Sequence, residues 1–280
     1  MKIHCSQRKV HILKRLVLLS VLIFFLFPVF LHAQIKIDTN FRLPVQEKLH
    51  YRIYYKLGRL WVYAAFANFR TDTTTFNEKK VYKLYVEAYS RKKFDWIYSL
   101  EDHYTSLVDY QTFKPYQFEK YNIEKGIVYH NIYRFDWKTN QILMTIYSSS
   151  ENDTLQKTEK LPSFITDAFS AVHYIRTWDF SQIKKNKKLG FHTILDGKVF
   201  KQEVIYRGTD SISDKNGNKI KAYKLEALIK NSTFFRSDKG VMVWVADNPE
   251  RWIVKVNAKI IVGSIVVFLD QKGLASFDIH

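Results

Sequence analysis

The feature that most constrains this chain is an alternation of period two that starts near Glu47 and recurs almost to residue 270. In Leu49-His50-Tyr51-Arg52-Ile53-Tyr54-Tyr55-Lys56-Leu57 every odd position is apolar or aromatic, and three of the four even positions are polar. A strand with one buried face requires that pattern. Further strand segments are Leu60–Arg70, Val81–Tyr89, Trp96–Val108, Pro115–Glu124, Ile127–Trp137 and Gln141–Ser148, then Leu189–Leu195, Lys198–Arg207, Lys219–Lys230, Val241–Ala246, Trp252–Ile260 and Ser264–Leu269. Gly58-Arg59, Lys125-Gly126, Asp196-Gly197 and Asn216-Gly217 stand between them as turns, and Asp196-Gly197 is the strongest hairpin signal in the chain. About thirteen strands are too many for a flat open sheet. The expected fold is therefore mainly β: a curved antiparallel sheet closing toward a barrel or roll.

One segment departs from that period. From Thr166-Asp167 to Trp178 the apolar residues Ala168, Phe169, Val172, Ile175 and Trp178 recur at helical spacing. This predicts one amphipathic helix of about three turns, capped by Thr166 or Asp167 and packed against the sheet.

The first residues carry an address. Lys2, Arg8, Lys9, Lys14 and Arg15 precede an apolar run from Leu16 to Leu31 that ends at Leu31-His32-Ala33. A basic segment, an apolar segment and a small residue before the cut make a secretory signal peptide over residues 1–33, leaving 34–280 as one β-rich domain. The alternative, an uncleaved anchor, meets a run shorter than a bilayer span and interrupted by Pro28. The single cysteine, Cys5, precedes the apolar run and would leave with the leader, so the mature domain has no disulfide and no thiolate metal site. The five leader cations reduce the net charge from +17 to +12 on cleavage. The expected location is the periplasm or the periphery of the outer membrane, with membrane contact peripheral or through a retained leader.

Composition excludes disordered and collagen-like chains, because 46% of the residues are apolar and only nine are glycine. No His-Glu-x-x-His, calcium loop or phosphate loop is present, and no cofactor or metal is expected. Asp167, Ser170 and His173 are the three side-chain types of a hydrolytic triad, but Ser170 and His173 on one helix lack the strained elbow that exposes a nucleophile. The plainer reading makes Asp167 a cap, Ser170 a small packing residue and His173 a surface or half-buried side chain. Of Glu101, Asp102 and His103, only Glu101 and His103 share a strand face. Two basic loops, Arg91-Lys92-Lys93 and Lys184–Lys188, make an electrostatic case for anionic lipid head groups, lipopolysaccharide or acidic glycans, against the plainer reading, preferred here, of solvated loops that aid solubility. Export and the absence of any matching motif argue against nucleic acid.

The order of segments resembles the exported bacterial family catalogued as domain of unknown function 3108. The resemblance rests on Glu47-Lys48-Leu49-x-Tyr51, on Tyr104-x-x-x-Val108-Asp109 followed by Pro115, and on Asp167-Ala168-Phe169-Ser170-Ala171-x-x-Tyr174-x-Arg176. It is completed by Val243-Trp244-x-Ala246-Asp247 and Ile261-Val262-Gly263-Ser264-Ile265. It implies an exported β-rich protein of Gram-negative bacteria and no established activity. Arg59-Leu60-Trp61 departs from the glycine common there, which leaves the first hairpin open. Within the helix motif, Asp167 is expected to cap, Ser170 to allow close approach to the sheet, and Tyr174 and Arg176 to tie the helix to neighbouring strands.

Three functional readings follow. The first is a non-enzymatic envelope protein holding a lipid-like or other apolar ligand, or an anionic envelope component. The second is a glycan hydrolase whose carboxylates are brought together by the fold. The third is a structural or interaction module.

Overall fold

The computed structural model describes residues 35–94, 99–124, 126–213, 218–228 and 240–270. The expected leader, Trp96, the Asn216-Gly217 turn and residues 229–230 of the expected strands lie outside the described residues.

The period-two segments form one sheet. Its first arm is β1 (Glu47–Leu57), β2 (Leu60–Phe76), β3 (Lys79–Ser90), β4 (Leu100–Asp109), β5 (Pro115–Glu124), β6 (Ile127–Asp136), β7 (Gln141–Ser148) and β8 (Asp153–Lys160). The second arm comprises β9 (Ile165–Asp167), β10 (Lys188–Leu195), β11 (Lys198–Ser213), β12 (Lys219–Leu228), β13 (Val241–Ala246), β14 (Ile253–Lys259) and β15 (Ser264–Leu269). The spatial order is β8-β7-β6-β5-β4-β3-β2-β1-β15-β14-β13-β12-β11-β10-β9. The last strand returns to pair with the first, Tyr51 opposite Leu269, so the two arms are joined at β1–β15 and each ends in a free edge. Every pairing is antiparallel except that of β9 with β10.

Both edges are blunted, as an exposed ladder requires. β8, Asp-Thr-Leu-Gln-Lys-Thr-Glu-Lys, is polar and mostly exposed, and β9 is three buried residues. Neither was expected from the alternation, since β8 has no buried face to imprint one. Register shifts between Ile53 and Tyr54, Tyr206 and Gly208, Leu107 and Val108, and Trp244 and Val245 bend the ladder and raise its twist. The first hairpin closes in two residues, Leu57 opposite Leu60, with Gly58 at φ +58. The glycine needed for that turn sits at its first position, so Arg59 is no obstacle. At the β10–β11 turn Asp196 and Gly197 both have positive φ, as a tight two-residue hairpin demands.

The expected helix is shorter than three turns. Thr166 and Asp167 are in β9, and α1 runs from Ser170 to Arg176 with Phe169 at its N-cap and no side-chain cap bond from that residue. The period-3.6 pattern was stretched at both ends by Ala168, Phe169 and Trp178, which are apolar because they are covered and not because they are helical. The sheet curls around α1. Tyr174, Ile175 and Trp178 share a core with Tyr82, Leu84 and Val108 of the first arm and with Val204, Tyr206, Leu225, Val243 and Val245 of the second. Tyr174 meets Phe164 and Phe191 at ring-centroid distances of 4.6 and 5.5 Å, and Trp178 meets Phe191 at 6.2 Å. Side chains therefore fill the space between helix and sheet.

Candidate functional site

The four motif residues build a buried anchor. Asp167 Oδ1 accepts from the backbone N–H groups of Phe169 (2.9 Å) and Ser170 (2.8 Å) and from the Ser106 hydroxyl (2.9 Å), while Oδ2 accepts from the Ser170 hydroxyl (2.7 Å). Asp167 thus serves the first turn of α1 from β9, two residues before the cap position. Arg176 donates to both Glu47 oxygens at 2.7 Å and to the carbonyls of Glu250 (2.8 Å) and Arg251 (3.1 Å), and Trp252 Nε1 also donates to Glu47 (2.8 Å). One guanidinium so joins α1 to β1 and to the turn before β14. Tyr174 supplies the ring contacts.

His173 is not at the surface: it is 1% exposed. The inward stripe of a two-turn helix wrapped by a sheet is wider than that of a helix lying on one. Arg176 Nη1 sits 3.2 Å from His173 Nδ1, and burial followed by the Arg176 charge holds the imidazole well below its usual pKa, so Nδ1 accepts and the ring is neutral. The Ser170 hydroxyl is directed to Asp167, and His173 is held by Arg176, so the three residues make no nucleophile–base pair.

Burial raises the Asp167 pKa above 3.8 despite its four donors. A carboxyl whose folded pKa is raised contributes stability that is complete below its unfolded pKa and lost as pH rises through the folded value. D167N, which keeps an acceptor oxygen and cannot ionise, is therefore expected to gain stability relative to wild type as pH rises from 4 toward neutrality. Parallel urea curves at pH 4 to 7 check this, and a constant difference would refute it.

A second constellation lies on the opposite, outer face of the sheet. Phe66 on β2 is opposite Tyr89 on β3, which neighbours His103 on β4, then Tyr121 on β5 and His130 on β6; His50 on β1 stands beside Phe66. The successive ring centroids are 5.7, 5.5, 5.7, 6.3 and 5.9 Å apart from His50 to His130. At about 4.8 Å per strand this ladder crosses roughly 24 Å of sheet. Hydrogen bonds set its imidazoles: His50 Nδ1 lies 2.7 Å from Asn68 Oδ1, His103 Nε2 lies 3.2 Å from Glu101 and His130 Nε2 lies 2.8 Å from Glu119. Glu101 and His103 share a face, as the strand parity requires.

Beside the ladder, Phe66, Tyr89, Arg91, Lys92, Lys93 and Glu101 line an open cleft of about 670 Å³. The basic loop Arg91–Lys93 enters a 3-10 turn, Lys92–Phe94, directly after β3, which places its charges at the edge of the two rings. The same face continues past β1 as an array of cations over rings: Arg91 over Tyr63 (4.5 Å), Lys56 over Trp61 (4.5 Å), Lys255 over Trp244 (5.1 Å) and Phe268 (5.4 Å), and Lys224 over Trp244 (5.3 Å). These contacts leave Tyr54 and Phe268 buried on an outward face, because long cationic side chains cover apolar surface with their stems. Asp210, held by the Trp244 indole and Lys224, is pulled down to about 2 and stays ionised within the array. Sequence reading found the basic loop. It did not find the ladder, whose members are 9 to 23 residues apart along β2–β6 and become neighbours only through register.

The geometry defines a class: a mainly-β protein whose open, strongly curved sheet encloses one short helix and carries an aromatic and cationic outer face. The chain belongs to the family of proteins of unknown function DUF3108, whose profile matches residues 50–270. No curated protein matches it. Among solved structures it is similar to a β-barrel-like protein of the DUF1849 domain from Brucella abortus, at 8% identity and a TM-score of 0.46, over 81% of this chain and 98% of that one. It is also similar to a protein of Bacteroides fragilis with a YmcC-like fold, at 10% identity and a TM-score of 0.28, over 82% and 97% of the two chains. Among the described residues no helix is long and apolar enough to cross a membrane.

Proposed function

We propose that this is an exported, non-enzymatic binding protein of the periplasm or outer-membrane periphery, whose ligand is an acidic saccharide of the envelope, free or as the head of a glycolipid. The observation that carries the reading is the cleft in which Phe66 and Tyr89 meet Arg91, Lys92 and Lys93. Flat ring faces give apolar contact with the C–H faces of a pyranose, and a cluster of cations attracts carboxylate or phosphate substituents. The ladder extends the same surface across further strands, which suits a chain of several rings. The lipid-like character expected of the ligand would then belong to an apolar part lying on Phe66 and Tyr89, since the space between helix and sheet is occupied by Tyr174, Trp178 and Phe191. The signal-like leader at residues 1–33 supports export.

Binding of the purified protein to lipopolysaccharide-bearing liposomes, and separately to the detached polysaccharide, tests this. Lys92→Glu, at an exposed position, is expected to weaken binding at least about tenfold, and raising the salt from 50 to 300 mM is expected to weaken it in wild type. Phe66→Ala should weaken binding even at high salt, where charge is screened. Equal binding of wild type and K92E, or equal binding to neutral phosphatidylcholine liposomes, would overturn the reading.

A further inference from the structure

The inner face of β4–β6, opposite the ladder, holds a patch of buried oxygen atoms without partners. Asp102 on β4 is directly opposite Asn122 on β5, and Asn131 on β6 is one diagonal step further. Asp102 is 8% exposed, Asn122 0% and Asn131 6%. Asp102 Oδ1, Asn122 Oδ1 and Asn131 Oδ1 are all buried and make no hydrogen bond; the Tyr133 hydroxyl beside them faces the Gly197 backbone and the Asn131 amide. An unsatisfied buried oxygen costs free energy, and three on adjacent strands call for an occupant.

The assignment of these oxygens follows from their neighbours. Asn122 Nδ2 donates to Glu124 Oε1 at 2.6 Å, which leaves its Oδ1 as the open atom. Tyr104 donates to Asp102 Oδ2 at 2.8 Å, which leaves Oδ1. The open atoms on Asp102 and Asn122 are thus acceptors, and the Asn131 amide completes the patch beside the Tyr133 hydroxyl. Charge points the same way. Asp102 and Glu124 belong to the patch, and the two ammonium groups near it are committed elsewhere, Lys120 to Asp196 at 3.2 Å and Lys157 to Glu159 at 2.7 Å.

The patch also has a roof. The β10–β11 turn crosses the inner face here, with Lys157 Nζ donating to the Gly197 carbonyl at 2.9 Å. A Cβ at Gly197 would approach Ile146 Cδ1 to 3.0 Å. This is where the free ends of the two sheet arms meet.

We propose that Asp102, Glu124, Asn122 and Asn131 bind a hard divalent cation of the calcium type. Carboxylate and amide oxygens, completed by water, are the donor set calcium takes, with six to eight ligands in a flexible geometry, whereas magnesium demands a strict octahedron. Two carboxylates balance its charge. Among the described residues no three of His, Cys, Asp and Glu come together as ligands, so this site depends on its amide oxygens and is not visible as an acidic cluster. The ion would tie β4, β5 and β6 together under the β10–β11 turn. This inference is independent of the outer-face reading, because the two sites lie on opposite faces of the sheet.

Terbium luminescence sensitised by Tyr104 and Tyr133 tests it on the chelator-treated whole protein. Expected are tyrosine-excited terbium emission, its displacement by calcium at far lower concentration than by magnesium, and a rise in melting temperature with calcium. Glu124→Gln, at a partly exposed position, and Asp102→Asn should each weaken calcium displacement at least tenfold, while Glu101→Gln on the outer face leaves it unchanged. If Asp102→Asn does not fold, Glu124→Gln carries the test. No sensitised emission, no calcium effect on melting, or unchanged displacement in Glu124→Gln would each overturn the proposal and leave the patch to ordered water.

Discussion

Replacing Glu47 by alanine is expected to destabilise the fold by about 3–5 kcal/mol, among the largest effects of any single change. Arg176 and Glu47 have side chains 1% and 6% exposed, and they meet in a two-pronged ion pair at 2.7 Å. Removing the carboxylate strands a guanidinium inside the molecule and deprives the Trp252 indole of its acceptor. The residual carbonyl bonds to Glu250 and Arg251 do not neutralise the charge. Neutral His173, 3.2 Å away, cannot do so either. Urea unfolding of E47A, R176M and the double variant measures this. The double variant should be less destabilised than the sum of the singles, since removing both charges leaves none uncompensated. Additive losses, or a loss below about 1 kcal/mol in E47A, would show that the pair does not organise the helix.

Trp178→Ala should cost a similar amount, about 3–5 kcal/mol, by a different mechanism. Trp178 is the largest fully buried side chain described, at 0% exposure, and its ring contacts Tyr174, Phe180 and Phe191. Its backbone carbonyl also accepts from Arg251 at 3.0 Å, and that bond survives the substitution. The loss is therefore one of packing: an empty volume at the centre of the core that both sheet arms share. Close-packed interiors relax only partly around such a void. Trp178→Phe should recover a large part of the stability. If W178A unfolds at the wild-type urea midpoint, the core described here is not what holds the arms together.

The alternation made most of the strands legible. Where a strand has one face in the core and one in water, parity records it, as in β1 with Leu49 and Tyr51 inside and His50 and Arg52 outside. β8 escaped because it buries no face, its one apolar side chain, Leu155, being exposed, and β9 because three residues carry no period. The helix was legible as a departure from alternation, but its ends were not, since Phe169 and Trp178 are covered by the sheet whether or not they are helical. Of the motif residues, Asp167 was recognisable as serving the helix start. Glu47, which holds Arg176 from 129 residues away, was not, because no local pattern marks a partner contributed by another strand.

The outer face shows the same division. The basic loop Arg91–Lys93 is a local run of charge and can be read directly. Its neighbour Phe66 lies 25 residues earlier than Arg91 and reaches it only because Phe66 pairs with Tyr89 across β2 and β3. By itself the sequence determined the strand class, the position of the helix that the sheet surrounds and the basic loops, all properties set by side chains within a few residues of one another. Tertiary structure alone decided which strands pair and in what register, and with it the ring ladder, the Glu47–Arg176 anchor and the oxygen patch at Asp102, Asn122 and Asn131. A shift of one residue in any of those ladders would send every one of those side chains to the opposite face.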